Sequence, residues 1–84
     1  MSEYLEFCEN LATKKVNDKI QLYVDLYCNQ YRQKVYVITA QKEDNAVEIG
    51  RAYTNKQAKE QFRTAYFVLK TDEEEKSGEL VYGR

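Results

Sequence analysis

With 84 residues, the chain has room for one domain and one hydrophobic core. It is 43% apolar and 32% charged with a formal net charge of −1, which indicates a globular protein and excludes a binder that is basic throughout. The absence of histidine excludes the Ser-His-Asp triad, the Cys-His pair and histidine-ligated metals. Cys8 and Cys28 do not form a Cys-x-x-Cys pair. We therefore expect a protein that is not an enzyme and that holds no metal or other cofactor.

The sequence also predicts where the protein resides. No apolar run approaches the roughly 18 residues that a membrane-spanning helix needs. The N-terminus lacks the basic and apolar regions of a signal peptide. We expect a cytoplasmic protein with no membrane partner.

Four elements are predicted before residue 54. Near the N-terminus, apolar residues recur every three to four positions, which predicts a helix over residues 2–13 with Ser2 as its N-cap. Apolar and polar residues then alternate over 20–28, 34–41 and 46–53, which predicts three strands.

A second helix is predicted from Thr54, a suitable N-cap, to about Lys70. Its apolar stripe consists of Ala58, Phe62, Ala65 and Leu69. The order α-β-β-β-α predicts an α+β fold in which a three-stranded antiparallel sheet carries both helices on one face. The domain is expected to occupy residues 1–70. Residues 71–84 are expected to form an acidic tail, with 79–82 either frayed or a short extra strand.

Positive charge is concentrated on the second helix. Residues 51–70 contain five Lys or Arg and one Glu, a net of +4, whereas residues 71–84 contain two cations and five anions, a net of −3. Lys56, Lys59 and Arg63 are spaced by three and four, so they share one side of the helix near its positively polarised N-terminus. They are either phosphate contacts or an ordinary solvated helix face.

The stretch from Gly50 to Lys59 resembles the double-stranded RNA-binding domain family. The family signature G-x-G-x-S-K-K-x-A-K aligns with residues 50–59 without a gap, and Gly50, Lys56, Ala58 and Lys59 are identical to it. At its other positions Ala52 replaces the second Gly, Thr54 replaces Ser and Asn55 replaces the first Lys. Residues 4–8 look like the L-x-E-L-C pattern of the family's first helix. The family's G-P-x-H loop is absent, because Cys28, Asn29, Gln30 and Tyr31 stand at those positions. The resemblance covers about residues 3–70.

This resemblance implies sequence-independent binding of double-stranded RNA through 2′-hydroxyls and phosphates across two minor grooves. It implies that Lys56 and Lys59 contact phosphates, assisted by Asn55 and Arg63. Glu6 would contact a minor groove, and Arg32 and Lys34 would be secondary contacts. Without the loop histidine, we expect weak to moderate, salt-sensitive binding.

The tyrosines suggest a different class of function. Tyr23, Tyr27 and Tyr36 are predicted on the sheet face opposite the helices. They are either an uncovered aromatic surface that binds a protein partner or a second copy of the chain, or scattered, half-exposed tyrosines without a partner. The alternative function is therefore a protein-interaction or dimerisation module. One form of it is a phage- or virus-type inhibitor of a host nucleic-acid-binding protein.

Overall fold

A computed structural model describes the backbone of residues 4–82 and the side chains of residues 4–71. Its elements are β1 (Leu5–Lys15), β2 (Ile20–Asn29), β3 (Lys34–Lys42), β4 (Asn45–Ala52) and α1 (Asn55–Tyr82). The strands form one antiparallel sheet in the order β1-β2-β3-β4. The α+β class is correct, but the order is β-β-β-β-α, so the predicted three-stranded sheet with two helices is wrong.

The segment predicted as the first helix is the edge strand β1. Its pairing with β2 skips Cys8 and Leu11, each of which is an extra residue in a β-bulge. Because each insertion adds one residue to an alternation of two, Glu6, Glu9 and Ala12 of one sheet face are spaced by three, which imitates the period of a helix. Ser2, the predicted N-cap, lies outside the described residues.

The other three strands begin and end within one residue of the predicted bounds. In the turn between β2 and β3, Asn29 is buried and its side chain organises the backbone. Its Oδ1 accepts hydrogen bonds from the backbone N–H groups of Tyr31 and Gln33, both at 2.9 Å. This fixes the turn in which Arg32 adopts a left-handed φ of 63°.

The core lies between one face of the sheet and α1. The sheet contributes Ile20, Leu22, Val24, Ile38 and Ala52, and the helix contributes Ala58, Phe62, Ala65, Tyr66 and Leu69. The helical members follow the 3.6-residue period predicted from the sequence, with Tyr66 widening the stripe. On the other sheet face, Val35 and Val37 are also buried, opposite Tyr27 and Asp25 of β2.

Helix α1 begins as predicted and extends further. The Thr54 hydroxyl accepts a hydrogen bond from the backbone N–H of Gln57 at 3.1 Å, so Thr54 is the N-cap. The helix continues past Lys70 to Tyr82, so residues 79–82 are helical and form no extra strand. Within the described part of the chain, no helix has both the length and the apolar character of a membrane span.

Gly50 brings β4 close to α1. A Cβ atom at this position would lie 2.5 Å from Gln61 Oε1, and the Gln61 Nε2 group donates a 2.8 Å hydrogen bond to the Arg51 carbonyl. Close packing against Gln61 therefore explains why position 50 is a glycine, without any role in binding a ligand.

We predict that Gly50→Ala lowers the free energy of unfolding by about 1 kcal/mol, the typical contribution of one hydrogen bond, because Gln61 must move. Urea unfolding followed by circular dichroism measures the change. In a Gln61→Ala background the clash is gone, and the same substitution should no longer destabilise the protein. An equal cost in both backgrounds would contradict the packing explanation.

Candidate functional site

The predicted cations of the second helix lie where the spacing placed them. Lys56, Lys59 and Arg63 are exposed on α1, to one side of the stripe that packs on the sheet. Asn55 is the first residue of the helix and is also exposed. The N-terminal part of α1 therefore presents a row of positive charge to solvent.

Lys59 and Arg63 form one wall of a cleft whose other side is β1. The cleft has a volume of about 260 Å³ and is lined by Lys14, Lys59, Phe62, Arg63 and Tyr66. This is below the roughly 300–1,000 Å³ typical of sites for drug-sized ligands, so the cleft suits a group as small as one phosphate or one base. We call it the β1–α1 cleft.

The sheet register explains why Lys14 reaches this cleft. Lys14 pairs with Leu22 of β2, and the Leu22 side chain packs in the cluster that includes Tyr66. Paired residues of adjacent strands point to the same face of a sheet, so Lys14 also points toward α1. Its Nζ atom lies 4.3 Å from the centre of the Tyr66 ring, a cation–π contact.

Local sequence patterns do not identify Lys14 as a site residue, because it lies between the predicted helix over residues 2–13 and the predicted strand over residues 20–28. Only a strand through residue 14, paired with β2, places this lysine opposite Arg63 and Lys59. Lys70, four residues after Tyr66, ties the helix to the connection between β1 and β2: its Nζ donates a 3.2 Å hydrogen bond to the Val16 carbonyl.

The β1–α1 cleft combines positive charge with aromatic surface. Among the described side chains that line it, three are cationic, two are aromatic and none is acidic. Like charges held close together repel each other, and an anion bound between them removes that repulsion. Phe62 and Tyr66 add half-buried ring surface at the same place. The cleft is therefore suited to an anion that also carries a flat or apolar group.

The remaining residues of the predicted nucleic-acid site lie elsewhere. Glu6 is exposed on β1, so it is not the first-helix carboxylate that the family resemblance implied. Arg32 lies in the β2–β3 turn and Lys34 begins β3; both are exposed, and neither lines the β1–α1 cleft. Glu6 is likewise absent from the described lining of this cleft, so none of the three joins Lys59 and Arg63 there.

The predicted tyrosine face is divided between the two sides of the sheet. Tyr23 pairs with Thr39 and Tyr27 pairs with Val35, so both tyrosines lie on the face without the helix. Tyr36 instead packs on the helix side, against the cluster formed by Val24, Ile38, Ala52 and Ala58. Across the sheet, Phe7 joins Tyr27 in an edge-to-face contact with ring centroids 5.6 Å apart.

A second groove lies on the other side of α1, against β4. It has a volume of about 490 Å³ and is lined by Ile49, Glu60, Gln61, Thr64, Ala65 and Val68. Ile49 and Val68 are 45% and 56% exposed, and Val47 on the same strand is 58% exposed. This β4–α1 groove is more apolar than the β1–α1 cleft and contains no cation among its described lining residues.

No protein-family model, curated protein or solved structure matches the chain. The resemblance of residues 50–59 to the double-stranded RNA-binding domain stays a prediction, and the first helix that it implied is wrong. Among the described residues, no cluster of three or more Cys, Asp or Glu side chains could hold a metal ion.

Proposed function

We propose that this chain is a cytoplasmic, non-enzymatic nucleic-acid-binding protein whose β1–α1 cleft holds the phosphate backbone. One observation carries the proposal: Lys14, from a strand, meets Lys59 and Arg63, from the helix, in a cleft whose described lining contains no carboxylate. Residues 45 positions apart in the chain are thus brought to one small site with one sign of charge.

Nucleic acid is the anion that best fits this combination of groups. Lysine and arginine bind phosphates by charge and by hydrogen bonds, and aromatic rings offer surface to bases. A protein with a net charge of −1 gains little long-range attraction for nucleic acid, so the local cluster must supply the affinity. We therefore propose modest affinity that falls steeply as salt rises. RNA is the first candidate, because the stretch at 50–59 resembles an RNA-binding family.

A titration of the whole protein into fluorescently labelled RNA tests this proposal. Both a single strand and a duplex are used, and the dissociation constant is measured by anisotropy between about 50 and 200 mM salt. With three phosphate contacts, the logarithm of the affinity for a single strand should fall with a slope of about −2 against the logarithm of salt concentration. Failure of both RNAs to bind at the lowest salt, or a slope near zero, would reject it.

The second candidate function is association with a second copy or another protein through the β4–α1 groove. Ile49 and Val68 are large apolar side chains that line this groove and are about half exposed, and Val47, also about half exposed, lies on the same strand as Ile49. Exposed apolar surface of this kind, when contiguous, is characteristic of interaction sites. This groove replaces the predicted tyrosine face, because Tyr36 packs against the helix and cannot join Tyr23 and Tyr27.

If the β4–α1 groove is a self-association surface, the natural protein should sediment as a dimer. The double variant Ile49→Lys and Val68→Lys should then sediment as a monomer, because burying two lysines in an apolar interface is strongly unfavourable. Leu11→Lys, a similar change at an exposed position of β1, is the matched control and should leave the dimer intact. A monomeric natural protein at high concentration would exclude self-association.

A further inference from the structure

We infer that the β1–α1 cleft binds single-stranded nucleic acid, with one unpaired base stacked on Tyr66 in the place that the Lys14 ammonium group occupies. The inference rests on the proposed function and specifies its ligand. It is carried by the shape of the cationic surface, by the position of the two aromatic rings and by the contact between Lys14 and Tyr66.

The cationic surface is a single narrow row, which suits the sugar–phosphate backbone of one nucleic-acid strand. Lys56, Lys59 and Arg63 follow one side of α1 over seven residues, about 10 Å of helix at 1.5 Å per residue. Lys14 faces the end of this row from β1. Recognition of duplex RNA requires separate regions that contact two successive minor grooves and the phosphates between them. Glu6, Arg32 and Lys34, which would have supplied those regions, lie outside the cleft.

The aromatic rings favour an unpaired base. Phe62 and Tyr66 are half-buried and line the same cleft as the three cations. In a duplex the base faces are stacked on each other and only their edges are accessible, so they cannot cover a protein ring. In a single strand the bases can turn outward and stack on aromatic side chains while the phosphates follow a positively charged groove.

Lys14 explains how the cleft can exist without a ligand. Its ammonium group lies 4.3 Å from the centre of the Tyr66 ring and thereby covers a ring face. Lys14 lies on an exposed edge strand, and its four-carbon side chain is flexible. An exposed cation–π contact is weaker than the stacking of a base on an aromatic side chain. A base can therefore take the ring face, and the released Lys14 Nζ can bind the adjacent phosphate.

The experiment compares strands of one sequence. A labelled, mixed-sequence oligonucleotide of about 12 nucleotides, within the usual span of single-strand sites, is titrated alone and after annealing to its complement. The single strand should bind at least about tenfold more tightly than the duplex, as expected for the loss of one stacked base. Equal or tighter binding of the duplex would overturn this inference and leave the proposed function standing. Absence of binding to both would reject the proposed function itself.

Variants of Tyr66 test the stacking separately from the charge. Tyr66→Leu retains apolar packing and removes the ring, so the single strand should lose about tenfold in affinity while the salt slope stays unchanged. Tyr66→Phe retains the ring and should bind like the natural protein. Tyr31→Leu, at an exposed tyrosine in the β2–β3 turn, is the matched control and should also bind normally. If Tyr66→Leu is folded by circular dichroism and binds the single strand normally, the stacking inference is wrong.

Comparing RNA and DNA strands of the same sequence tests whether the protein recognises the sugar. Stacking and phosphate contacts do not use the 2′-hydroxyl group, so both strands should bind with affinities within about threefold of each other. Binding of one strand alone would show that the sugar is recognised and would overturn this mode of binding.

Discussion

Replacing both Lys59 and Arg63 by alanine is expected to weaken the binding of a single-stranded oligonucleotide roughly 50-fold at about 50 mM salt. Each phosphate contact to a single strand changes the salt slope by about 0.7, which amounts to nearly one decimal order of affinity per contact at this salt concentration. The slope should fall from about −2 to about −0.7, because Lys14 is then the one cation left among the three that line the cleft. Anisotropy titrations at several salt concentrations measure both quantities.

The control for this prediction is a second pair of lysines. Lys19 directly precedes β2 and Lys42 is the last residue of β3; both are exposed, and neither lines the β1–α1 cleft. Lys19→Ala with Lys42→Ala gives the same net charge as the test variant, so a general effect of charge would weaken both equally. An equal loss in the two double variants would show that the cleft is not the binding site.

Leu22→Ala is expected to cause the largest loss of stability among the single substitutions considered. Leu22 is 0% exposed and belongs to a buried cluster with Val16 and Ile20. The helix residues Phe62, Ala65, Tyr66 and Leu69 pack against this cluster. Removing its side chain leaves a cavity in a closely packed region, which typically costs 2–5 kcal/mol and should here cost about 3 kcal/mol. That is a large fraction of the roughly 4–13 kcal/mol expected for a chain of this length.

Urea unfolding followed by circular dichroism measures this loss as a shift of the midpoint. Leu11→Ala removes the same atoms from a residue that is 42% exposed in a bulge of β1, and it should cost less than about 1 kcal/mol. The comparison separates the cavity from the simple removal of a leucine. Similar losses in the two variants would mean that the contact between α1 and the sheet does not dominate the stability of the core.

Most of the packed fold was predictable from local patterns. Ile20, Leu22 and Val24 alternate with polar residues, and this alternation predicted both the strand and the face that α1 covers. Ala58, Phe62, Ala65 and Leu69 likewise predicted the helix and its buried side. These segments each bury one regular face, so their sequence period and their structural period are the same.

The first strand was not predictable in this way, because its period is not that of a regular strand. The extra residues Cys8 and Leu11 turn an alternation of two into a spacing of three, and the strand buries almost nothing. The length of α1 was also underestimated. The negative charge of the stretch after Lys70 predicted a solvated tail. Glu and Lys are also strong helix formers, and the helix continues through this stretch to Tyr82.

The candidate site was half predictable for the same reason. Lys59 and Arg63 follow from helical spacing alone, and both line the β1–α1 cleft. Lys14 depends on the pairing of β1 with β2, a contact between segments that local patterns do not report. Tyr36 was predicted on the wrong sheet face. The pairing of β2 with β3 places it opposite Leu26, on the helix side, and this pairing cannot be deduced from the alternation within β3 alone.

The two bulges of β1 have a consequence for the behaviour of the protein in a crowded solution. An open edge strand of eleven residues is a template on which a strand of another chain can pair, and repeated edge-to-edge pairing leads to fibres. The interruptions at Cys8 and Leu11 misalign the outward-facing peptide groups, so an incoming straight strand cannot match them over its full length. The irregularity that conceals this strand in the sequence therefore also protects the β1 edge of the sheet from pairing with another chain.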